Sequence, residues 1–387
     1  MRTLVVTNDF PPRAGGIQAY VASLASRLPA GEVVVYAPAW PGASAYDAAA
    51  PFPVVRHSGS LMLPLPQVLR RAREIARAEA CESVWFGAAA PLGLLAQGLR
   101  RSGVRRLVAS THGHEAGWAQ LPGGRLLLRR IGRTVDVVTY LGDYTRGRLA
   151  PALGPSARLA RLPSGVDTAT FRPGAGGEDV RRRHRLTDRP VVVCVSRLVR
   201  RKGQDALIRA LPEIRRHVPE ATLLIVGGGP DLDRLCRLAA ETGVADAVRF
   251  TGPVPWEELP AHYAAGDVFA MPCRTRRGGL DVEGLGIVYL EAAATGLPVI
   301  AGRSGGAPDA VLAGETGYVV DGRSVAAVAA CIAELLADPA KSSAMGERGR
   351  AWVEREWRWD VLANRLRGLL AGADRDPLSP PPSEGRR

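Results

Sequence analysis

The chain has 387 residues, of which 46% are hydrophobic and 23% charged, and this composition excludes an intrinsically disordered protein. It is too long for one compact core, so two domains are expected. The formal net charge of +13 favours an anionic partner, such as nucleic acid, a phosphorylated substrate or an acidic membrane. Because aromatic residues make up only 5% and no nucleic-acid-binding motif is present, we expect no nucleic acid partner.

In the first half of the chain, short apolar runs alternate with amphipathic stretches, which predicts β-α-β units and a parallel sheet. Strands are predicted at residues 3–7, 33–36, 83–86, 107–110 and 136–140. Helices are predicted between them, for example over residues 17–28 and 67–79. Pro and Gly then cluster between Pro163 and Gly177, as at a linker between domains.

The alternation restarts after this cluster, with strands predicted at residues 191–195, 222–226, 248–250, 268–271, 298–300 and 317–319. The sequence therefore predicts an α/β protein with two doubly wound domains, at residues 1–166 and 167–351. Residues 352–370 have helical periodicity and three tryptophans, and we expect one last helix that packs back on the first domain. The Pro-rich tail, residues 371–387, is predicted to be disordered.

The cysteines and the N-terminus predict a cytoplasmic protein. The five cysteines are widely spaced and lack a C-x-x-C pair, so we expect buried thiols in a reducing compartment rather than disulfides or a zinc site. The apolar run at the N-terminus stops at Asn8, unlike a secretory signal. No run approaches the roughly 20 apolar residues of a spanning helix, so any membrane contact is expected to be peripheral.

Two pairs of residues follow predicted strands in the first half. Gly15 and Gly16 precede a helix, where free backbone amides form an anion site; an ordinary turn is the alternative. His112 and His114 follow the fourth predicted strand and can position a reacting group or stabilise charge, or are simply polar strand-end residues. Only Glu115 is near as a third ligand, so no metal site is predicted there.

The second half carries a basic pair after its first predicted strand. Arg197 offers a bidentate fork and Lys202 a point charge, so together they can neutralise a departing diphosphate without a metal. A solvated basic turn is the alternative, and the intervening Arg200 and Arg201 are expected to be partly that. Further on, Asp231-Leu232-Asp233 resembles a metal-binding D-x-D but fits equally well as acids at a helix start, so no metal is predicted.

Two carboxylates, Glu283 and Glu291, are spaced E-x7-E around a predicted helix start near Gly286. The N-terminal amides of such a helix can bind a phosphate. Glu291 lies about one turn into the helix, where it can accept hydrogen bonds from a ribose, and Glu283 lies before the helix, where it can meet a sugar. A loop acid and a surface helix acid are the alternative.

Two amphipathic stretches in the first half are strongly cationic and can lie on anionic lipid, although ordinary exposed helix faces fit them too. Their arginines are Arg70, Arg71, Arg73 and Arg77 in one stretch, and Arg125, Arg129, Arg130 and Arg133 in the other.

These motifs together resemble those of the retaining GT-B glycosyltransferases of family 4. The resemblance spans residues 1–370 and includes PSGVDTATFRP at the entry to the second domain. The stretches STHGHEAGW, SRLVRRKGQD and PCRTRRGGLDVEGLGIVYLEA look more specifically like the actinobacterial GDP-mannose-dependent phosphatidylinositol mannosyltransferases, in the branch that adds an α-1,6-linked mannose. One departure is visible, because Arg277 stands where that branch tends to have Gly.

The resemblance implies a GT-B fold, in which two Rossmann-like domains face a cleft, with an acceptor-binding first domain and a nucleotide-sugar-binding second domain. It implies retaining transfer of α-mannose from GDP-mannose to phosphatidylinositol monomannoside, at the anionic inner face of the cell membrane and without a metal or other cofactor. The alternatives are another nucleotide sugar such as UDP-glucose, another glycolipid acceptor or, from a different class, a basic nucleic-acid-binding protein.

The resemblance also implies a role for each motif. Arg197 and Lys202 bind the diphosphate, Glu283 contacts the mannose and Glu291 the ribose, and His112, rather than His114, contacts the donor sugar and assists the reaction. The remaining donor contacts expected are backbone groups of Gly15, Gly16, Val254, Gly284, Leu285, Gly286 and Ile287, with Val254 near the guanine.

Overall fold

The structure of the protein, a computed structural model, describes residues 1–373. The chain divides into two compact units. The first comprises Met1–Gly165 and the segment that starts at Trp359, and the second comprises Val166–Arg358.

The first unit contains a seven-stranded parallel sheet in the order β3-β2-β1-β4-β5-β6-β7. Its strands are β1 (Thr3–Val6), β2 (Val33–Pro38), β3 (Val54–His57), β4 (Ser83–Phe86), β5 (Arg106–Ser110), β6 (Val137–Tyr140) and β7 (Leu159–Arg161). Its first seven helices are α1 (Gly16–Ala25), α2 (Ala43–Ala49), α3 (Pro66–Ala78), α4 (Ala96–Arg100), α5 (Glu115–Ala119), α6 (Pro122–Thr134) and α7 (Asp143–Leu153). The strand order reverses between β1 and β4, and ligands of doubly wound sheets bind at such a point, beyond the carboxyl ends of the strands.

The second unit repeats this architecture with six parallel strands in the order β10-β9-β8-β11-β12-β13. The strands are β8 (Val191–Val195), β9 (Thr222–Val226), β10 (Val248–Gly252), β11 (Val268–Met271), β12 (Val299–Gly302) and β13 (Gly317–Val320). The helices are α8 (Gly177–His184), α9 (Gln204–His217), α10 (Leu232–Glu241), α11 (Leu259–Ala264), α12 (Ile287–Ala294), α13 (Val325–Ala337) and α14 (Pro339–Glu356). Here the order reverses between β8 and β11. The two doubly wound sheets confirm the predicted fold class.

The final segment differs from the single helix predicted over residues 352–370. Helix α14 ends at Glu356, and a separate helix, α15 (Trp359–Ala371), follows. Trp357 follows the end of α14, and its carbonyl, which lies beyond the helical hydrogen bonds, accepts from Val166 N–H. Trp357 is buried in the second unit's core, whereas α15 packs against α1, β4 and β5 of the first unit.

The predicted tail and linker also differ from the structure. Ala371, assigned to the tail, is the last residue of α15, and the part of the predicted tail from residue 374 lies outside the described residues. In the predicted linker, Val166 and Phe171 are buried in the second unit's core, because apolar side chains within this Pro/Gly-rich segment find partners there. Strands β3 and β7 were not predicted; both lie at sheet edges, and β7 has only three residues.

The two cationic helices of the first unit each bury one apolar face and expose most of their arginines, whereas Arg73 on α3 is half-buried and donates to the carbonyl of Gly98. Helix α3 buries Val68 and Ile75, and α6 buries Leu128 and Ile131. Leu126 on α6 remains 70% exposed among basic neighbours. Among the helices of residues 1–373, none has both the length and the apolar content needed to cross a membrane.

Candidate functional site

In the second unit, the loop after β8 brings a lysine into contact with a glutamate. A short 3-10 turn, Arg200–Lys202, leads to Gly203 and then into α9. Gly203 has φ 83°, and a Cβ there would lie 2.1 Å from the carbonyl oxygen of Pro272, so this turn requires glycine. Lys202 is buried, and its Nζ lies 2.7 Å from Oε2 of Glu283.

Glu283 is buried at the end of the loop that follows β11, and it is held by two cations and by its backbone. Its carboxylate binds both Lys202 and the guanidinium group of Arg201. Its carbonyl accepts a hydrogen bond of 2.9 Å from Gly306 N–H. The structure therefore brings the predicted Lys202 and Glu283 together. It adds Arg201, which was expected to belong partly to a solvated basic turn, because spacing within the RRK run does not tell which side chain turns inward.

Arg197 is not part of this ion cluster. Its side chain is exposed and, within residues 1–373, has no hydrogen bond or ion pair. Its carbonyl accepts a hydrogen bond from the side-chain amide of Gln204 at the start of α9. The backbone at Arg197 is thus anchored while the guanidinium group is available to an external anion.

Helix α12 begins next to this cluster. Gly286 caps it in the left-handed conformation, with φ 80° and ψ 65°. A Cβ at Gly286 would approach the Tyr289 ring at 2.4 Å and the Cγ of Glu283 at 3.5 Å, which places the helix start beside the buried carboxylate. Leu285 is buried in the core, whereas Gly284 and Ile287 are less enclosed. The first amides of a helix carry partial positive charge and bind anions.

Glu291 lies one turn further along α12 and has a partner that the sequence did not reveal. The hydroxyl of Tyr263, a fully buried side chain on α11, donates to Oε2 of Glu291 at 2.6 Å. Burial raises the pKa of Glu291, and the hydrogen bond from Tyr263 acts in the opposite direction. One carboxylate oxygen is thereby fixed while the other can accept further hydrogen bonds. Val254, which follows β10, is half-buried against the same core.

In the first unit, Gly15 and Gly16 open α1 without backbone strain. Gly15 is extended, with φ 162° and ψ 162°, and Gly16 is the first helical residue. A Cβ at Gly16 would meet no described atom within 4 Å, so the fold itself does not require glycine there. Gln18, in the first turn of α1, donates to Asp9 at 2.8 Å and ties the helix start to the loop after β1.

His112 follows β5 and is held in one orientation. Its Nε2 lies 2.6 Å from the carbonyl oxygen of Gly87, at the end of the neighbouring β4, and its ring meets Tyr20 edge-on at 4.9 Å. Because a carbonyl oxygen only accepts, Nε2 carries the proton, and in the neutral ring Nδ1 keeps a lone pair. Burial lowers the pKa of His112, which favours that neutral ring. His114, the alternative candidate, is exposed and stacks on His112 at 6.4 Å.

The first acid of the D-x-D pattern, Asp231, is engaged by arginine, whereas Asp233 is exposed. Asp231 forms two hydrogen bonds with Arg234, of 2.6 and 2.8 Å, and these contacts lower the pKa of Asp231. Over the described part of the chain, no group of three or more His, Cys, Asp or Glu side chains is placed to hold a metal ion.

Two family profiles match the chain. The profile described as Glycosyltransferase Family 4 matches residues 14–170, and the profile described as Glycosyl transferases group 1 matches residues 177–352. Among solved structures, the protein HepE from Anabaena in complex with UDP has a TM-score of 0.77 at 19% identity, with 96% of this chain and 100% of that chain covered. A sucrose-phosphate synthase from Thermosynechococcus elongatus has a TM-score of 0.71 at 23% identity, covering 95% and 98%. At these identities the likeness shows the fold, which is the predicted GT-B fold.

Curated relatives are similar over almost the whole chain. A GDP-mannose-dependent α-(1-6)-phosphatidylinositol monomannoside mannosyltransferase from Mycolicibacterium smegmatis is 58% identical, covering 95% of this chain and 98% of that protein. A GDP-mannose-dependent monoacylated α-(1-6)-phosphatidylinositol monomannoside mannosyltransferase from Corynebacterium glutamicum is 48% identical, covering 97% of this chain and 99% of that protein. These similarities and the two profiles confirm the predicted resemblance, and the chain belongs to the glycosyltransferases of family 4.

Proposed function

We propose that this chain transfers a mannosyl group from GDP-mannose to phosphatidylinositol monomannoside and forms an α-1,6 linkage. The names and full-length similarity of the relatives support the substrates. The structural observation that carries the proposal is the buried Glu283 carboxylate held between Arg201 and Lys202, beside the start of α12. Such a constellation offers an acceptor for sugar hydroxyls next to cations for a diphosphate.

We assign the donor nucleotide to the second unit. The exposed guanidinium of Arg197 and the ammonium of Lys202 bind the diphosphate, with the amides around Gly286 and Ile287 as further donors. Glu283 accepts hydrogen bonds from the mannose. Glu291, fixed by Tyr263, accepts from the ribose through its other oxygen. Backbone groups at Val254 contact the guanine.

Charge development explains why these residues suit the reaction. As the glycosidic bond breaks, negative charge grows on the leaving diphosphate and positive charge grows on the sugar ring. Cations and helix amides that are already oriented stabilise the negative charge on the diphosphate without reorganisation. The Glu283 carboxylate stabilises the positive charge on the sugar ring. We therefore propose that transfer needs no divalent ion, and that the product keeps the α configuration of the donor.

We assign the acceptor to the first unit, together with the donor contacts expected of Gly15, Gly16 and His112. The loop at Gly15 and Gly16 leaves room at Gly16 for close approach of a ligand to the backbone. His112 presents its Nδ1 lone pair to a hydroxyl of the donor sugar, and its Nε2–H stays bonded to Gly87. Helices α3 and α6, with exposed arginines, hold this unit at the anionic inner face of the membrane.

The test is an incubation of the purified full chain with labelled GDP-mannose and phosphatidylinositol monomannoside in vesicles, with a chelator present. The expected result is a lipid that carries one added α-1,6-mannose, identified by mass spectrometry and by its anomeric proton signal. Label in lipid only when UDP-glucose replaces GDP-mannose overturns the donor assignment. Strict dependence on magnesium or manganese overturns the metal-free mechanism, and a β-linked product overturns retention.

A further inference from the structure

A groove of about 440 Å³ in the second unit lies outside the residues assigned to the donor. It lies between the first half of α9, the loop after β11 and the loop after β13. Five arginines line it, with one acid, and these six are Arg209, Arg274, Arg276, Arg277, Arg323 and Asp205.

Internal contacts neutralise only part of this charge. Arg274 forms hydrogen bonds of 2.7 and 2.8 Å with both carboxylate oxygens of Asp205, and Arg276 lies 3.9 Å from Asp281. Arg209 and Arg277 are exposed and, within residues 1–373, form no side-chain hydrogen bond or ion pair. Guanidinium groups that share one groove without enough carboxylates repel each other, and an external anion relieves that repulsion.

A small hairpin forms one rim of the groove and carries an exposed leucine. Arg276 and Asp281 exchange backbone hydrogen bonds of 2.9 and 3.2 Å and close a four-residue tip. Within the tip, Leu280 N–H donates to the carbonyl of Arg277, so the two residues lie one turn apart. Leu280 is 74% exposed. The Asp281 carboxylate lies 3.3 Å from Arg201, which anchors the base of the hairpin.

We propose that this groove binds the phosphodiester of an anionic phospholipid headgroup, with Leu280 entering the apolar boundary of the bilayer. Guanidinium forks match phosphate oxygens in geometry and charge. A soluble phosphate ester gains nothing from a leucine beside it, whereas basic side chains next to an exposed apolar residue suit a membrane surface. The inference deepens the membrane-surface part of the proposed function and rests on it.

The first experiment compares two double variants of the full chain on phosphatidylcholine vesicles with and without phosphatidylinositol. R209Q/R277Q removes two groove charges, and R216Q/R237Q removes two exposed charges elsewhere in the second unit, one of them further along α9. An arginine at an anionic surface strengthens partitioning on the order of fivefold, so the groove variant is expected to bind roughly thirtyfold more weakly. Equal binding by the two variants overturns the proposal.

The second experiment reports on the hairpin tip. Leu280→Cys in a Cys236→Ser background is labelled with a nitrobenzoxadiazole dye, and native protein labelled at the exposed Cys236 on α10 is the control. Vesicles with phosphatidylinositol are expected to increase the fluorescence at position 280 and to leave the control unchanged. No increase at 280 overturns the insertion of the tip. If glycerophosphoinositol saturates the groove as fully as phosphatidylinositol does, and the fluorescence at position 280 does not increase, the lipid assignment is overturned in favour of a soluble phosphate ester.

A third readout separates this inference from the proposed function. GDP binding by calorimetry, and mannose transfer to an acceptor dispersed in detergent, are measured for both double variants. If R209Q/R277Q loses vesicle binding and no form of the protein transfers mannose, the proposed reaction is rejected. Lipid binding by the groove is then still supported. If R209Q/R277Q transfers mannose normally and binds vesicles as well as native protein does, only the proposed lipid binding by the groove is rejected.

Discussion

The two units share a doubly wound architecture, yet they equip the same edge of their sheets with different chemistry. In the second unit, Glu283 is buried between Arg201 and Lys202, and a strand-helix turn shaped by Gly203 fixes this cluster. In the first unit, His112 is held by a backbone carbonyl and an aromatic ring, and its lowered pKa keeps it neutral. The comparison shows that one fold supports a buried ion cluster in one unit and a neutral hydrogen-bonding side chain in the other.

The largest expected effect tests the charged side of this comparison. Lys202→Ala removes the ammonium from Glu283 and, on our assignment, from the leaving diphosphate. Loss of one donor aimed at developing charge costs about 3 kcal/mol, so kcat with GDP-mannose and lipid acceptor should fall on the order of 100-fold or more. Rates at saturating donor measure this effect.

Arg200→Ala is the matched control for Lys202→Ala. Arg200 is in the same short turn, but its side chain is 59% exposed and lies 3.9 Å from Asp231. The kcat of Arg200→Ala should stay within roughly twofold of the native value, because most substitutions of exposed residues have small effects. If both variants turn over at near-native rates, the charged cluster is not the site of transfer.

The next effect tests the neutral side. His112→Gln keeps an amide that can donate to Gly87 but removes the titrating ring, and kcat should fall roughly 10- to 100-fold. Since burial lowers the pKa of His112, the native ring gains its proton only below the ordinary value of about 6.5. Native activity should therefore decline as pH falls below that value, and this decline should be missing from the variant's pH profile. If the His112→Gln variant shows the same decline in activity at low pH, that decline belongs to another titrating group.

A smaller effect concerns Glu291 and its buried partner. Tyr263→Phe removes the hydroxyl that lowers the pKa of Glu291 against the effect of burial, so the pKa rises further. A protonated carboxyl accepts hydrogen bonds poorly, and loss of donor affinity on acidification should then begin at a higher pH than in native protein. At pH 7 we expect roughly fivefold weaker GDP-mannose binding, corresponding to about 1 kcal/mol, by calorimetry.

Tyr318→Phe is the control for that pair. The hydroxyl of Tyr318 donates to Glu334 at 3.0 Å. The substitution therefore removes the same kind of hydrogen bond from an exposed position of the same unit. The expected donor affinity and its pH dependence are native. A response equal to that of Tyr263→Phe would mean that donor binding senses general loosening of the second unit rather than the carboxylate of Glu291.

The sequence predicted the buried strands better than the edges, for a physical reason. Central strands such as β8 and β9 are covered on both faces and appear as continuous apolar runs, which predicted them to the residue. Strands β3 and β7 have one neighbour each, and their half-buried residues lack that signal. The end of α14 was not predicted; the carbonyl that follows it, on Trp357, accepts from Val166, nearly 200 residues earlier, and local sequence does not reveal such a contact.

For the site, the motifs could be predicted from the sequence, but their mutual contacts could not. Lys202 and Glu283 were both predicted, and the structure joins them. Arg201 and Tyr263 were missed, because one is an arginine in a basic run and the other an aromatic residue on a short helix; only tertiary packing turns each toward a carboxylate. The roles of these residues with substrate stay predictions that the variants above test.

The smallest expected effect is a change in Tm, which tests whether charge in the second unit lowers the stability of the folded protein. Arg277 has φ 49°, a left-handed conformation that costs a residue with a Cβ about 1 kcal/mol relative to glycine, part of which the entropy of an unfolded glycine offsets. Arg277→Gly should therefore raise Tm by roughly 1–3 °C, and Arg277→Ala, which keeps the Cβ, should give no such gain. Arg185→Gly is the matched control, because Arg185 caps α8 with φ 58° and lies outside the groove. A gain at both positions shows that strain, not charge repulsion, is relieved, and then Arg277 is retained for what it binds. A gain at Arg277 with both Gly and Ala points instead to repulsion among the groove arginines, and this result would show that the second unit carries uncompensated charge beyond the proposed donor site.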